Sequence, residues 1–165
     1  MGGIFFMKTS SFFGHRNIVN ITEIKKTLKN TLNNIINNDL HFLIGTHGDF
    51  DSIALSTALE LYNETPMKIK ISLVFSNLSI LNKDKYGYKI TDYLKNKPIE
   101  PIIYNIEEVH YKNRITISNR NMIDNSDLII CFVDMNKRNS GAKNAIIYAE
   151  KNNKKIINLY EIISK

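Results

Sequence analysis

One cysteine, three prolines, no tryptophan and only seven glycines occur in this 165-residue chain, and each scarcity excludes something. A single Cys cannot build an internal disulfide framework, and Cys131 inside the apolar run LIICFV reads as a buried, inert thiol. Four histidines, at 15, 41, 47 and 110, are scattered without metal-ligand spacing, so no metal is expected. No stretch approaches the ~18 apolar residues of a membrane span. The apolar start MGGIFFMKTSSFF lacks the charged lead, continuous apolar run and cleavage site of a signal peptide. Linker-like, low-complexity and repeated segments are missing too, apart from a strand–helix period. Together these absences predict a single domain over residues 1–165 in a reducing cytoplasm, without membrane attachment. Residues 1–6, ahead of Met7, read as an extension.

What is present suits a globular chain. Hydrophobic residues make up 43% and charged residues 23%, enough to build a core without staples. A formal charge of +6 and a pI near 9.3 suit an anionic partner. Lysines at 25, 26 and 29, at 83, 85, 89, 95 and 97, and at 151, 154 and 155 are dispersed on expected solvent faces, with no long block of like charge.

Periodicity supplies the architecture. KTSSFF (8–13) suits a strand, and Ile21, Ile24, Leu28, Leu32 and Ile35 recur at helical spacing up to NNDL, with Asn20 and Glu23 spaced as a capping box. LHFLI (40–44) reads as a second strand, SIALSTALELY (52–62) as a helix and KIKISLVFS (68–76) as a third strand. Residues 76–100 mix charged loop with a helix at 88–96, and IEPIIYN (99–105) fits a fourth strand. A helix at 113–126, the strand DLIICFVD (127–134), a helix at 140–153 and a final strand KKIINLYEI (154–162) complete the chain. Strands separated by helices imply crossovers between parallel neighbours, hence an α/β, Rossmann-like three-layer sandwich with a mostly parallel central sheet.

In such folds ligands sit beyond the carboxyl ends of the strands. Three polar loops fall at that edge: GHR (14–16), GTHGDFD (45–51) and DMNKRNSGA (134–142). Gly45 and Gly48 admit close approach of backbone amides, and a helix starting near Asp51 aims its free donors at a phosphate. The G-x-x-G spacing is neither a dinucleotide fingerprint nor a Walker loop, and a turn glycine with an N-cap aspartate explains it equally well. Of the two carboxylates, Asp49 and Asp51, one is expected to cap the helix while the other faces a sugar hydroxyl, a base edge or water. Arg16 offers a fork for phosphate and His15 can donate or accept, although both suit a bracing role in the loops. Ser140 and Gly141 open a helix as cap or as phosphate contact. No G-x-S-x-G elbow or nucleophile–base pair is evident.

These loops, in this order, resemble the SLOG superfamily, the Rossmann-like group that includes the DNA-processing protein DprA/Smf, the LOG nucleotide hydrolases and the YpsA-like bacterial proteins. The similarity is greatest to the YpsA-like group: FFGHR (12–16), GTHGDFD, the Ser-Gly and YA of the stretch from 131 to 159, and RNMIDNSD (120–127) match its pattern. The resemblance implies a nucleotide or nucleotide-derived ligand at the strand edge, with Gly14, Arg16, Gly45, Gly48, Asp51, Ser140 and Gly141 carried over. His15, Thr46, Arg120 and Asp134 complete the candidate set. The chain lacks the PGGxGTxxE run of the LOG enzymes, which argues against LOG-type catalysis. Its third strand ends VFSNLSIL, without the proline usual in the YpsA-like group.

Three functions follow as expectations. The first is a nucleotide-ligand binding domain that senses or regulates. The second is a cofactor-free hydrolase or transferase at a nucleotide N-glycosidic bond, with Asp49 or Asp51 stabilising the ribosyl centre or activating water. Nucleic-acid binding ranks third, and self-association into a homo-oligomer is left open.

Overall fold

The structure, a computed structural model, describes residues 7–165; the extension expected at 1–6 lies outside the described residues. Among the described residues six strands form one sheet: β1 (Lys8–Gly14), β2 (Leu40–Ile44), β3 (Ile69–Val74), β4 (Ile99–Ile102), β5 (Leu128–Phe132) and β6 (Lys155–Asn158). Their order is β4-β3-β2-β1-β5-β6 and every neighbouring pair is parallel. The helices are α1 (Ile21–Asn33), α2 (Asp49–Glu64), α3 (Ile90–Leu94), α4 (Arg114–Asp124), α5 (Gly141–Lys151) and α6 (Leu159–Ile163). This is the expected α/β sandwich, and its sheet is parallel throughout.

Strand alternation divides the core in two. Phe12, Phe42, Ile44 and Ile71 pack in one buried cluster with Ile24, Leu28 and Leu32 of α1 and Phe50, Ile53 and Leu61 of α2. Phe13, Leu43, Ile129 and Cys131 belong to the other, with Met122 and Ile123 of α4 and Ala145, Ile146 and Ala149 of α5. Successive residues of one strand point to opposite faces, so adjacent Phe12 and Phe13 enter different layers. Two apolar residues in sequence therefore signal a sheet covered on both sides.

Three local expectations are corrected. Asn20 precedes α1 but makes no side-chain capping bond, so the capping box with Glu23 is not formed; only its carbonyl accepts, from Ile24 N–H at 3.2 Å. The helix also stops at Asn33, several residues before NNDL, where Ile35 N–H turns back to Leu32 O at 3.0 Å. The final strand ends at Asn158, and residues 159–163 are helix. Asn158 causes the change: its Oδ1 accepts from Val133 N–H at 3.1 Å and Tyr160 N–H at 3.2 Å, and its Nδ2 donates to Val133 O at 2.8 Å. One amide thus holds the end of β5 and caps the next helix, which stops the strand at Asn158 although Tyr160 and Ile162 suit its continuation.

Candidate functional site

The chain winds outward from β1 in both directions, since β1 lies between β2 and β5. The loop after β1 leads to α1 in one layer and the loop after β5 leads to α5 in the other, leaving a crevice at the reversal point. A cleft of about 250 Å³ occupies it. All three expected loops reach this cleft: Gly14, His15 and Arg16 from the first, Gly45, Gly48 and Asp51 from the second, Ser140 and Gly141 from the third.

Close backbone approach explains two glycines. A Cβ on Gly14 would lie 2.3 Å from Cγ of buried Phe50, and one on Gly48 would lie 2.7 Å from the Arg16 Cα. The first two loops are therefore interlocked without room for a methyl group. Hydrogen bonds fasten the same junction, with Asp49 N–H donating to Arg16 O at 2.9 Å and Ile18 N–H donating to Asp49 Oδ2 at 2.8 Å. Asp49 is consequently a loop clamp and does not border the cleft.

Asp51 stands differently. It borders the cleft, its Oδ2 accepts from His47 N–H at 2.7 Å, and burial raises its carboxyl above the ordinary range, opposed by that bond and by the Arg16 charge. Neither aspartate caps α2 in the expected way, because the helix begins at Asp49, after Gly48, and both fall in its first turn. There they face the positive end of the helix dipole. Gly45 leaves space for the Asp51 carboxylate, whose Oδ2 would lie 3.1 Å from an added Cβ.

His15 joins the loops after β1 and β5. Its N–H donates to Phe132 O at 3.2 Å, and its Nε2 accepts from Asp134 N–H at 2.9 Å. An accepting Nε2 requires the neutral ring with its proton on Nδ1. Burial, reinforced by Lys137 and opposed by Asp134, lowers its pKa accordingly. Asp134 is itself engaged, accepting from Asn136 N–H and from the Tyr160 hydroxyl, both at 3.0 Å, and does not border the cleft.

Arg16 is exposed at the mouth. Ion pairs among the described residues use Lys25, Lys29 and Lys70, leaving its guanidinium without a carboxylate partner. The bracing by this residue runs through its main chain. Ser140 caps α5, its Oγ accepting from Lys143 N–H at 3.1 Å, and Gly141 faces open space. Cap and access thus coexist at one helix start.

Two other candidates lie apart. Thr46 is exposed and does not border the cleft, and Arg120 sits 5.1 Å from the Tyr148 ring centroid in a smaller depression of about 70 Å³ between α4 and α5. That depression shares Ile115, Asn119 and Gly141 with the main cleft. Sequence reasoning missed the wall formed by Phe12, Phe13, Ile115, Asn119 and Met122, and missed His47. His47 Nε2 pairs with Ser76 Oγ, and its pKa is lowered by burial and by Arg16. The positions 115, 119 and 122 do share one helical face, a spacing that could have marked them as a stripe. No group of three metal-ligating side chains occurs among the described residues.

The fold is that of a Rossmann-like domain, and the candidate cleft lies at the sheet's reversal point. The chain belongs to the YspA SLOG family, whose family model matches residues 11–163. No curated protein matches the sequence.

Proposed function

We infer that the cleft binds a nucleotide or nucleotide derivative through its phosphate, and that the protein works as a ligand-sensing or regulatory module. The observation that carries this is the convergence of an unpaired Arg16 guanidinium with the start of α2 and the Ser140-capped start of α5 around one small cleft. Free helix N–H donors and an arginine fork are the groups that bind phosphate. Half-buried Ile115 gives the cleft an apolar contact for the weakly polar remainder of such a ligand, while Phe12, Phe13 and Met122 are almost wholly buried and contribute little accessible surface. Membership of the SLOG family is compatible with this reading.

Thermal shift against nucleotides, nucleotide sugars and dinucleotides tests it. A ligand at 100 times its Kd adds about 2.7 kcal/mol, which for a chain of this length raises Tm by roughly 5–11 °C. Arg16→Ala should abolish the shift while leaving the unliganded Tm unchanged, since the side chain is exposed. A panel without any shift, or an undiminished response in the variant, refutes the inference.

Asp51 supports a second reading, hydrolysis or transfer at a nucleotide N-glycosidic bond. A half-buried carboxyl with a raised pKa beside a ligand cleft is suited to proton transfer or to stabilising a ribosyl cation. Asp51→Asn keeps an acceptor for His47 N–H, so the fold should persist while release of free base, followed by chromatography, ceases. Equal turnover in variant and wild type, or none in either, removes this reading and leaves the binding role untouched.

A further inference from the structure

Residues 82–97, between β3 and β4, have no part in the cleft. Lysines 83, 85, 89, 95 and 97 are interleaved there with Tyr86, Tyr88 and Tyr93, against only Asp84 and Asp92. The structure exposes all of these side chains, with Tyr86, Tyr88 and Tyr93 at 68%, 55% and 50%. Three large rings exposed on one short segment leave a patch of aromatic surface open to water, the kind of surface that marks an interaction site.

Both carboxylates are turned onto the segment itself. Asp84 accepts from Tyr86 N–H at 2.8 Å, from Tyr88 N–H at 3.0 Å and from the Tyr93 hydroxyl, and Asp92 accepts from Lys89 N–H at 2.7 Å. None of the five lysines joins an ion pair among the described residues. The aspartates thus shape the loop and hold its aromatic cluster, in which Tyr88 and Tyr93 meet edge to face at 5.8 Å. Lys85 Nζ stands 4.8 Å from the Tyr86 ring centroid, placing a cation beside a ring that is itself open to a partner. Lys89 borders an apolar groove of about 320 Å³ formed with Ile80, Ile90 and Ile103.

We propose that this segment is a binding surface for single-stranded nucleic acid, its tyrosines stacking on unpaired bases and its lysines neutralising the flanking phosphates. Stacking is tolerant of sequence and the cations follow the backbone, so the surface is expected to bind single strands with little base preference. An acidic peptide would use the lysines and leave the rings without a role. An anionic membrane would call for an amphipathic helix with a free apolar face; α3 has five residues and its Leu94 is buried in the protein.

The test is fluorescence anisotropy with the intact protein and a labelled oligothymidylate of about 16 nucleotides. Expected is saturable binding whose affinity falls steeply with salt, not displaced by AMP. Tyr86→Ala should weaken binding by about tenfold or more, with Tyr86→Phe retaining it. Combining Lys83→Gln with Lys85→Gln should flatten the plot of log K against log salt by about 0.7 for each phosphate that is no longer neutralised. Unchanged thermal melts would show that these exposed variants fold. Absence of binding at low salt, displacement of the strand by AMP, equal binding by Tyr86→Ala, or capture by phosphatidylserine vesicles and not by the oligonucleotide would each overturn the proposal.

Discussion

Replacing Gly48 by alanine tests whether the first two loops are built as one unit. The backbone there is extended, with φ 179° and ψ −175°, so alanine is conformationally acceptable and the effect must come from steric contact. Its Cβ would stand 2.7 Å from the Arg16 Cα. Ordinary carbon contact begins near ~3.5 Å, so the loops must separate by roughly 0.8 Å. That movement strains the Asp49–Arg16 and Ile18–Asp49 hydrogen bonds. Overpacking costs about 1–3 kcal/mol and each weakened bond up to about 1 more, offset by about 0.4–1 kcal/mol from a stiffer unfolded chain. The net spans roughly 0–5 kcal/mol and centres near 2, which lowers Tm by about 4–8 °C in a chain of this length. Gly141→Ala is the matched control: its Cβ meets nothing within 4 Å, so Tm should hold or rise slightly. The same methyl narrows the cleft mouth, so ligand response should fall in Gly141→Ala without loss of stability. Circular dichroism melts of the three proteins decide. Equal Tm for Gly48→Ala and wild type, or an equal fall in both variants, refutes the interlocking of the loops.

Further outcomes follow from His15 and Cys131. The folded state holds His15 neutral with its pKa below the ordinary imidazole value of about 6.5, so the unfolded chain takes up its proton first as pH falls. Its contribution is whole above about pH 6.5 and is lost as the pH drops toward the folded value. His15→Leu should cost about 1–3 kcal/mol at neutral pH by stranding Asp134 N–H, and should make the acid-side decline in urea-unfolding stability shallower. His41 and His47, shifted in the same direction, keep that decline from vanishing; an unaltered slope refutes the role of His15. For Cys131, burial pushes the thiol up to about 12, so iodoacetamide should label it only on unfolding, and labelling of the native protein at the rate of a free thiol would contradict its placement.

Alternation and helical spacing made the layers legible. LHFLI corresponds residue for residue to β2. The end of the chain misled because Tyr160 and Ile162 continue the strand pattern of Ile156 and Ile157, whereas the amide that turns the chain bonds to Val133, far away in sequence. The same limit governed the site. Three loops could be placed at one sheet edge from the order of strands and helices, since that order fixes which end each loop leaves. The wall from α4 could not be placed, because the pairing of β1 with β5 is a long-range choice that brings Ile115, Asn119 and Met122 across the crevice. Asp49 and Asp51 also look equivalent in sequence; only the hydrogen bond from Ile18 separates a clamp from a cleft carboxylate.

The position of the crevice between two layers bears on how a bound guest would be felt. Its rim draws on stretches near residues 14, 48 and 140, and the helices that follow belong to opposite sides of the sheet. A molecule held there stitches distant parts of the chain together, so neither half can peel away until it leaves. Occupancy would then slow amide exchange deep in both hydrophobic layers as well as at the rim, turning a small local event into a report on the whole body.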